Sequence, residues 1–141
     1  MAGQRKLQET PTVESENTSC QKALHCARAA LDKKAGHLKV LDLTKLSGFT
    51  DFFVVCSGTS DRQVQAIADA IENEMDSKGH KMISKEGYSD GRWVLLDFGD
   101  VVAHVFLDAL REYYDLENLW ADAPKVKIPA EFYGPGVTPI D

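Results

Sequence analysis

The sequence has few cysteines and no long apolar run. Its 141 residues include only Cys20, Cys26 and Cys56, and no two of them have the C-x-x-C spacing. This sparse, odd set is typical of reduced thiols in a cytoplasmic protein. No apolar stretch approaches the roughly 20 residues that span a bilayer, and the first residues lack the apolar centre of a secretion signal. We therefore expect a cytoplasmic protein without a membrane segment.

An excess of positive charge is also missing. The chain has 16 Lys and Arg against 22 Asp and Glu, for a formal net charge of -6. This balance argues against binding bare nucleic acid through a broad cationic surface, but it suits a basic protein partner. The four histidines are scattered without zinc-ligand spacing, so the sequence indicates neither a metal nor a cofactor.

The hydrophobic pattern predicts one α/β domain, which is usual for a chain of this length. The predicted order is α-β-β-α-β-β-β-α, which implies a single mixed sheet of about five strands with helices packed on it. We assign residues 1–17 to a disordered N-terminal tail, residues 18–123 to the folded domain and residues 124–141 to an irregular, proline-containing C-terminal tail.

A buried strand and two helices have clear signals in the first half of the chain. An uninterrupted apolar run from Phe52 to Cys56 is typical of a central strand covered on both faces. Thr18 or Ser19 is expected to cap the first helix, and Ser60 with Gln63 forms a capping-box pattern for the second. The predicted buried faces are Cys20, Leu24, Ala27, Leu31 and Ala35 in the first helix, and Val64, Ile67, Ala68, Ile71 and Met75 in the second.

A hairpin is predicted in the second half, where residues 93–98 and 101–107 are joined by Gly99-Asp100. Alternation along the second strand places Val101, Ala103 and Val105 in the core and His104 on the wetter or partner-facing side. The face that carries Trp93, Leu95, His104 and Phe106 has two interpretations that stay open. It is either a second small core under a terminal helix or an exposed patch that docks a protein.

Two features look catalytic at first but favour structural interpretations. The turn from Ser57 to Arg62 precedes a helix and suits an anion, yet it lacks the glycine spacing of phosphate-binding loops, so a capped strand-to-helix turn is favoured. Asp97 and Asp100 are three residues apart, which does not place both carboxylates on one face of a strand. Asp100 more naturally shapes the turn. A general-base role for His104 lacks an identifiable nucleophile and orienting acid.

Three segments resemble a known family. They are DFFVVCSGTSDRQV from Asp51, WVLLDFGDVV from Trp93 followed by His104-Val105-Phe106, and REYYDLENLW from Arg111. In order and spacing they resemble the signatures of the Iojap-like ribosomal silencing factors, and the similarity extends from about Cys20 to Ala123.

The resemblance implies an α/β domain related in shape to nucleotidyltransferases but without catalytic activity. It also implies binding to the large ribosomal subunit through ribosomal protein fourteen, at the surface that the small subunit would use, and hence repression of translation in starvation or stationary phase. Organellar relatives are linked to large-subunit assembly. The nucleotidyltransferase pattern of Gly-Ser followed by paired strand acids is not reproduced, because Gly99 stands two residues after Asp97.

Together, the pattern and the resemblance assign a docking surface and leave three alternatives open. No catalytic, cofactor or metal residue is assigned, and little or no direct nucleic-acid binding is expected. The alternatives are a large-subunit assembly factor, a divergent nucleotidyltransferase-like enzyme that uses the Ser57 turn and Asp97, and a homodimer through the apolar strand face. Apolar docking residues would provide affinity, and acids would orient a basic partner. The assigned residues are Trp93, Leu95, Asp97, Gly99, Asp100, His104, Phe106 and Tyr113.

Overall fold

The structure, a computed structural model, describes residues 18–46, 48, 50–110 and 121–133, so the tail predicted for residues 1–17 lies outside the described part of the chain. The described residues form a five-stranded mixed sheet with helices, which confirms the predicted fold class. Residues 108–110 are also helical. The elements are α1 Ser19–Asp32, β1 Gly36–Asp42, β2 Phe52–Gly58, α2 Asp61–Ser77, β3 Ser84–Glu86, β4 Trp93–Asp97, β5 Val101–Leu107 and a 3-10 helix at Ala130–Tyr133.

The sheet is centred on a parallel pair of strands. The strand order is β1-β2-β5-β4-β3, in which β2 and β5 are parallel and the other neighbours are antiparallel. All seven residues of β2 are buried, as predicted for a central strand. The predicted hairpin joins β4 to β5: the Phe98 N–H donates to the Val101 carbonyl at 2.9 Å, and Asp97 Oδ1 accepts from the Gly99 N–H at 2.8 Å. Gly99 has a φ of 92°, which a side chain would resist.

The two long helices begin where their caps were predicted. The Thr18 side chain accepts from the Gln21 N–H, and the Ser60 side chain accepts from the Gln63 N–H, each at 3.1 Å. In α2 the five residues predicted to be buried are the ones that are buried. The face predicted for α1 was partly right, since Ala27 and Ala35 are buried and Cys20 and Leu31 pack against the larger apolar cluster, but Leu24 does not belong to it. The buried face is wider than predicted, because α1 packs against both α2 and the sheet through small side chains that allow close approach. Its buried residues are Ala23, Cys26, Ala27, Ala29 and Ala30.

Apolar side chains form one cluster on each face of the sheet. The larger cluster lies between the sheet and the two helices and includes Val54, Ile67 and Val105. The smaller one, which we call the second cluster, lies on the opposite face. His104 itself is only 5% exposed, although it lies on the face that was predicted to be wetter or partner-facing. The second cluster consists of Leu41, Leu43, Phe53, Val55, Val102, Phe106 and Ala123, with Leu95 packed against it.

The chain after residue 120 covers the outer edge of β1. The Asp42 N–H donates to the Pro124 carbonyl and the Val126 N–H donates to the Val40 carbonyl, both at 2.8 Å. These bonds satisfy backbone groups that an edge strand would otherwise expose. Val126 and Ile128 also pack against the larger cluster. The packed part of the chain therefore extends beyond residue 123, where the sequence analysis placed the end of the domain.

We expect Gly87→Ala to unfold the turn that precedes β4. Gly87 has a φ of 79°, and a Cβ added there would overlap the Trp93 carbonyl group. Gly79 provides a matched control, since its φ is 81° but an added Cβ meets no atom within 4 Å. Urea denaturation should show a loss of about 3 kcal/mol or more for Gly87→Ala and about 1 kcal/mol for Gly79→Ala. Equal losses would mean that the close approach at Gly87 is unimportant.

Candidate protein-docking surface

A groove of about 380 Å³ opens on the sheet face that the two helices leave uncovered. Its floor is formed by Phe53 of β2 and Val102 of β5, both of which are buried. Ile83, just before β3, borders the groove and is 67% exposed. The Ile83 N–H donates to the Asp97 carbonyl at 2.7 Å, which fixes this residue beside the β4–β5 hairpin. The remaining lining residues are Leu95, Asp97, Gly99 and His104.

An aromatic cluster adjoins the groove across β4, β5 and β2. Directly opposed residues of antiparallel strands share a face, and the register pairs Trp93 with Phe106 and Leu95 with His104. The Trp93 and Phe106 ring centroids are 4.9 Å apart, and Phe53 meets His104 edge-on at 4.6 Å. Trp93 is 37% exposed, whereas Phe106 is 1% exposed. The indole therefore rests on buried rings with part of its surface open to solvent.

His104 is a neutral hydrogen-bond acceptor within this cluster. The Trp93 Nε1–H donates to His104 Nδ1 at 3.2 Å. An indole nitrogen is only a donor, so Nδ1 must accept and the imidazole proton must be on Nε2. Burial also disfavours the imidazolium and lowers the pKa of His104 to about 4. The ring is consequently neutral at physiological pH and presents its lone pair to Trp93.

The two hairpin acids face different surroundings. Asp97 lines the groove, whereas Asp100 forms an ion pair with Lys22 of α1, in which the Lys22 Nζ lies 3.0 Å from Asp100 Oδ2. The two carboxylates therefore do not converge on a common ion. Within the described ranges, no three His, Cys, Asp or Glu side chains are grouped so as to hold a metal ion.

The turn after β2 lies far from the groove and has local structural partners. The Gln63 side chain accepts from the Thr59 N–H at 2.7 Å and donates to the carbonyls of Lys33 and Lys34 at 3.1 and 3.2 Å. These bonds fit the capped-turn interpretation. The turn follows the last residue of β2, whereas Asp97 lies beside the first residues of that strand. At a rise of about 3.3 Å per residue, the turn and Asp97 are about 20 Å apart. The residues of the alternative enzyme hypothesis thus do not meet in one site.

The structure distributes the eight predicted docking residues over several environments. Leu95, Asp97, Gly99 and His104 line the groove, and Trp93 lies at the surface next to it. Phe106 lies beneath Trp93, and Asp100, whose side chain is partly exposed, forms an ion pair with Lys22 of α1. Tyr113 lies outside the described residues.

Sequence reasoning assigned no role to Ile83. The sequence signal was weak: Ile83 is a single large aliphatic residue shortly before a turn-rich segment. The long-range backbone bond to Asp97 is what brings it to the groove.

Comparison with known proteins identifies the family. Residues 16–136 match the model of the family described as ribosomal silencing factor during starvation. The chain is 48% identical over 98 residues to a ribosomal silencing factor from Bacillus subtilis, an alignment that covers 70% of this chain and 83% of that protein. It is 45% identical over 111 residues to the one from Halalkalibacterium halodurans, covering 78% of this chain and 95% of the relative.

Solved structures and a more distant relative extend this comparison. A crystal structure of a protein from Chromobacterium violaceum superposes with a TM-score of 0.72 at 34% identity, covering 84% of this chain and 98% of that one. A mouse protein named mitochondrial assembly of ribosomal large subunit protein 1 is 35% identical over 75 residues, which are 51% of this chain and 33% of the mouse protein. Among the described residues, no helix is long and apolar enough to cross a membrane.

We expect the free energy of unfolding to fall by about 3 kcal/mol as the pH is lowered from 6.5 to 4, because of His104. The pKa of this residue is about 4 in the folded protein against an ordinary value of 6.5, so the unfolded chain binds the extra proton throughout this window. Urea denaturation at several pH values, compared between the wild type and His104→Leu, measures this contribution.

The comparison with the variant is needed because burial also lowers the pKa of His25 and of His80. Those two residues contribute a slope of the same sign to both proteins, so the difference between the two curves isolates His104. Parallel curves for the wild type and the variant would contradict the assignment.

Proposed function

The chain belongs to the ribosomal silencing factor family, and we propose that it binds the large ribosomal subunit and sterically prevents the small subunit from joining. The proposed contact is ribosomal protein fourteen of the large subunit, at the surface used for subunit joining. Separated subunits cannot translate, so occupancy of this surface represses translation without any chemical step. The family match and the mouse relative, whose name refers to the ribosomal large subunit, support this proposal.

The groove beside Trp93 is the observation that carries the proposed docking role. The large apolar side chains that are exposed among the described residues are Leu46, Ile83 and Trp93. Ile83 lines the groove, and Trp93 extends its apolar surface along β4. Single exposed apolar residues are common, but two of them beside one preformed concavity, as Ile83 and Trp93 are, are typical of an interaction surface. Tryptophan is also the residue type most often found to dominate the energy of such interfaces.

Acidic groups on the same face suit a basic partner. Asp97 lines the groove, and Glu86 of β3 is paired directly with Leu95, which places it on this face of the sheet. Carboxylates at the rim of an apolar patch add orientation and speed of association more than affinity. The net charge of -6 disfavours direct contact with exposed RNA backbone, so a basic ribosomal protein fits better.

We also propose that the chain is not an enzyme. Its bacterial relatives are named as silencing factors, which are regulators, and steric exclusion requires only a rigid body in the right place. Large-subunit assembly is a second candidate role, favoured by the name of the mouse relative. The same docking surface would serve both roles, since a factor bound to an immature subunit would also keep the small subunit away.

Sedimentation of purified ribosomal subunits tests the proposed mechanism. With an excess of the protein, subunits mixed in magnesium-containing buffer should stay separate, and the protein should migrate with the large subunit. Without it they should join. If joined ribosomes form to the same extent in both mixtures, anti-association is wrong. Accumulation of large-subunit precursors in cells lacking the protein, with normal joining in vitro, would instead favour assembly.

We expect Trp93→Ala to weaken binding to the large subunit by about 2 kcal/mol or more, roughly 30-fold, because it removes the exposed apolar anchor. Tyr88→Ala is the control, since Tyr88 is an aromatic residue of the helix-covered side whose hydroxyl donates to Asp69 of α2 at 3.0 Å. Binding should be measured by co-sedimentation after circular dichroism has shown both variants to be folded. Equal affinities of the two variants would place the docking surface elsewhere.

Asp97→Asn should weaken binding several-fold and reduce its dependence on salt. Asparagine keeps an oxygen that accepts the Gly99 N–H, so the hairpin is preserved while the charge is removed. Asp76→Asn makes the same change of charge on the exposed side of α2. Affinity should therefore be measured at low and high ionic strength for both variants. Identical salt dependences would show that Asp97 does not face a cationic partner.

A further inference from the structure

Trp93 occupies a position in which its side chain needs external support. It is the first residue of β4, and 37% of it is exposed. An indole at a strand end has access to several rotamers, and ordering such a side chain on binding costs about 0.5–1.5 kcal/mol. A docking surface that relies on this ring gains affinity if the ring is held in place before the partner arrives.

Two of the contacts of the indole, with Phe106 and with His104, restrict its position in different ways. Phe106 lies under it at a centroid distance of 4.9 Å, with the planes inclined at 38°. Such an apolar contact keeps the ring near the sheet but tolerates rotation and sliding. The hydrogen bond from Trp93 Nε1 to His104 Nδ1, at 3.2 Å, is directional and fixes which edge of the indole points inward. The opposite edge therefore points away from His104.

His104 is itself held firmly enough to act as an anchor. Its ring is parallel to that of Phe106, with an interplanar angle of 5° and a centroid distance of 6.0 Å, and it meets Phe53 edge-on at 4.6 Å. Only 5% of the residue is exposed, so it has little surface of its own to offer to a partner. Its location suits support of a neighbour better than direct contact.

We propose that His104 is a positioning residue, which holds the Trp93 indole in the orientation that the docking surface presents to the large subunit. This inference rests on the proposed function. It replaces the direct contact predicted for His104 with an indirect role, in which Trp93 meets the partner and His104 accepts the indole N–H from below.

The hydrogen bond from Trp93 to His104 is expected to persist over the physiological pH range. Among the described residues, the titratable groups that share this sheet face include Asp97 on β4 and Glu86 on β3 through its pairing with Leu95. They also include Lys39 on β1, which is paired with Val55, and Lys125, which is paired with Leu41. Burial is the cause of the lowered pKa of His104, and it keeps the Nδ1 lone pair available well below neutral pH. Protonation would place an N–H against the indole N–H and break the bond.

Two substitutions of His104 distinguish the effect of its hydrogen-bond acceptor from the effect of its side-chain volume. In His104→Asn the amide oxygen occupies nearly the place of Nδ1 and accepts a hydrogen bond, whereas His104→Leu fills similar space without an acceptor. Val55→Ala, a truncation in the second cluster, controls for general loosening of this face. The variants are made in a Trp120→Phe background, so that Trp93 is the single tryptophan.

The first measurement is the nuclear magnetic resonance signal of the Trp93 indole N–H in the free protein. We expect a downfield, slowly exchanging proton in the parent and in His104→Asn, and an upfield, faster-exchanging one in His104→Leu. Val55→Ala should resemble the parent. In the parent the signal should stay constant from pH 8 to 5 and change as the pH falls through about 4. An indole signal that is the same in His104→Leu as in the parent overturns the inference.

The second measurement is affinity for the large subunit, combined with Trp93→Phe in a double-mutant cycle. His104→Leu should weaken binding about fivefold, close to one ordinary hydrogen bond, and His104→Asn should restore most of it. In the Trp93→Phe background, which has no indole N–H, His104→Leu should have no further effect. A full fivefold loss in that background would show that His104 acts independently of Trp93 and would overturn the inference.

The two measurements also separate this inference from the function on which it rests. If the parent protein does not bind large subunits at all, the proposed function fails. The indole signal still decides whether His104 holds Trp93, because it is recorded without any partner.

Discussion

The parallel pairing of β2 with β5 is the constraint on which the rest of the structure depends. A parallel pair at the centre of a sheet must be covered on both faces, and both strands here are almost entirely buried. The two long helices pack on one face of the sheet. On the other face the described residues form a smaller cluster, against which Leu95 of β4 packs. The groove and the partly exposed Trp93 lie beside this smaller cluster.

This arrangement makes the proposed docking surface rigid without a separate binding domain. The groove floor belongs to the same central strands that hold the fold together, so the apolar contacts cannot shift without disturbing the core. Asp97 is fixed by the hairpin that it closes, and Trp93 is fixed by His104 and Phe106. A factor that acts by excluding a ribosomal subunit needs this kind of rigidity more than it needs reactive groups.

Local patterns predicted some elements fully and others poorly. In α2 the apolar residues are long and recur every three or four positions, so the period identified the buried face without error. In α1 the buried residues are mostly alanines, whose hydrophobic signal is weak. The period therefore identified Ala27, and Cys20 and Leu31 at the margin of the core, but it missed Ala23, Ala29 and Ala30. Turn chemistry located the Gly99-Asp100 hairpin, because few dipeptides allow so tight a connection.

For the docking surface, the sequence by itself determined that Trp93, Leu95, His104 and Phe106 share one face, since side chains alternate strictly along paired strands. It could not determine how exposed each of these side chains is, because exposure depends on which distant segments of the chain pack over the strand. Only the tertiary structure put Phe106 and His104 below the surface, turned Asp100 toward Lys22 and brought Ile83 across to Asp97. Periodicity is a property of the local chain, whereas burial and long-range hydrogen bonds are set by elements distant in sequence. That is why alternation identified the face, and why only the folded chain shows Trp93 presented to solvent and His104 supporting it.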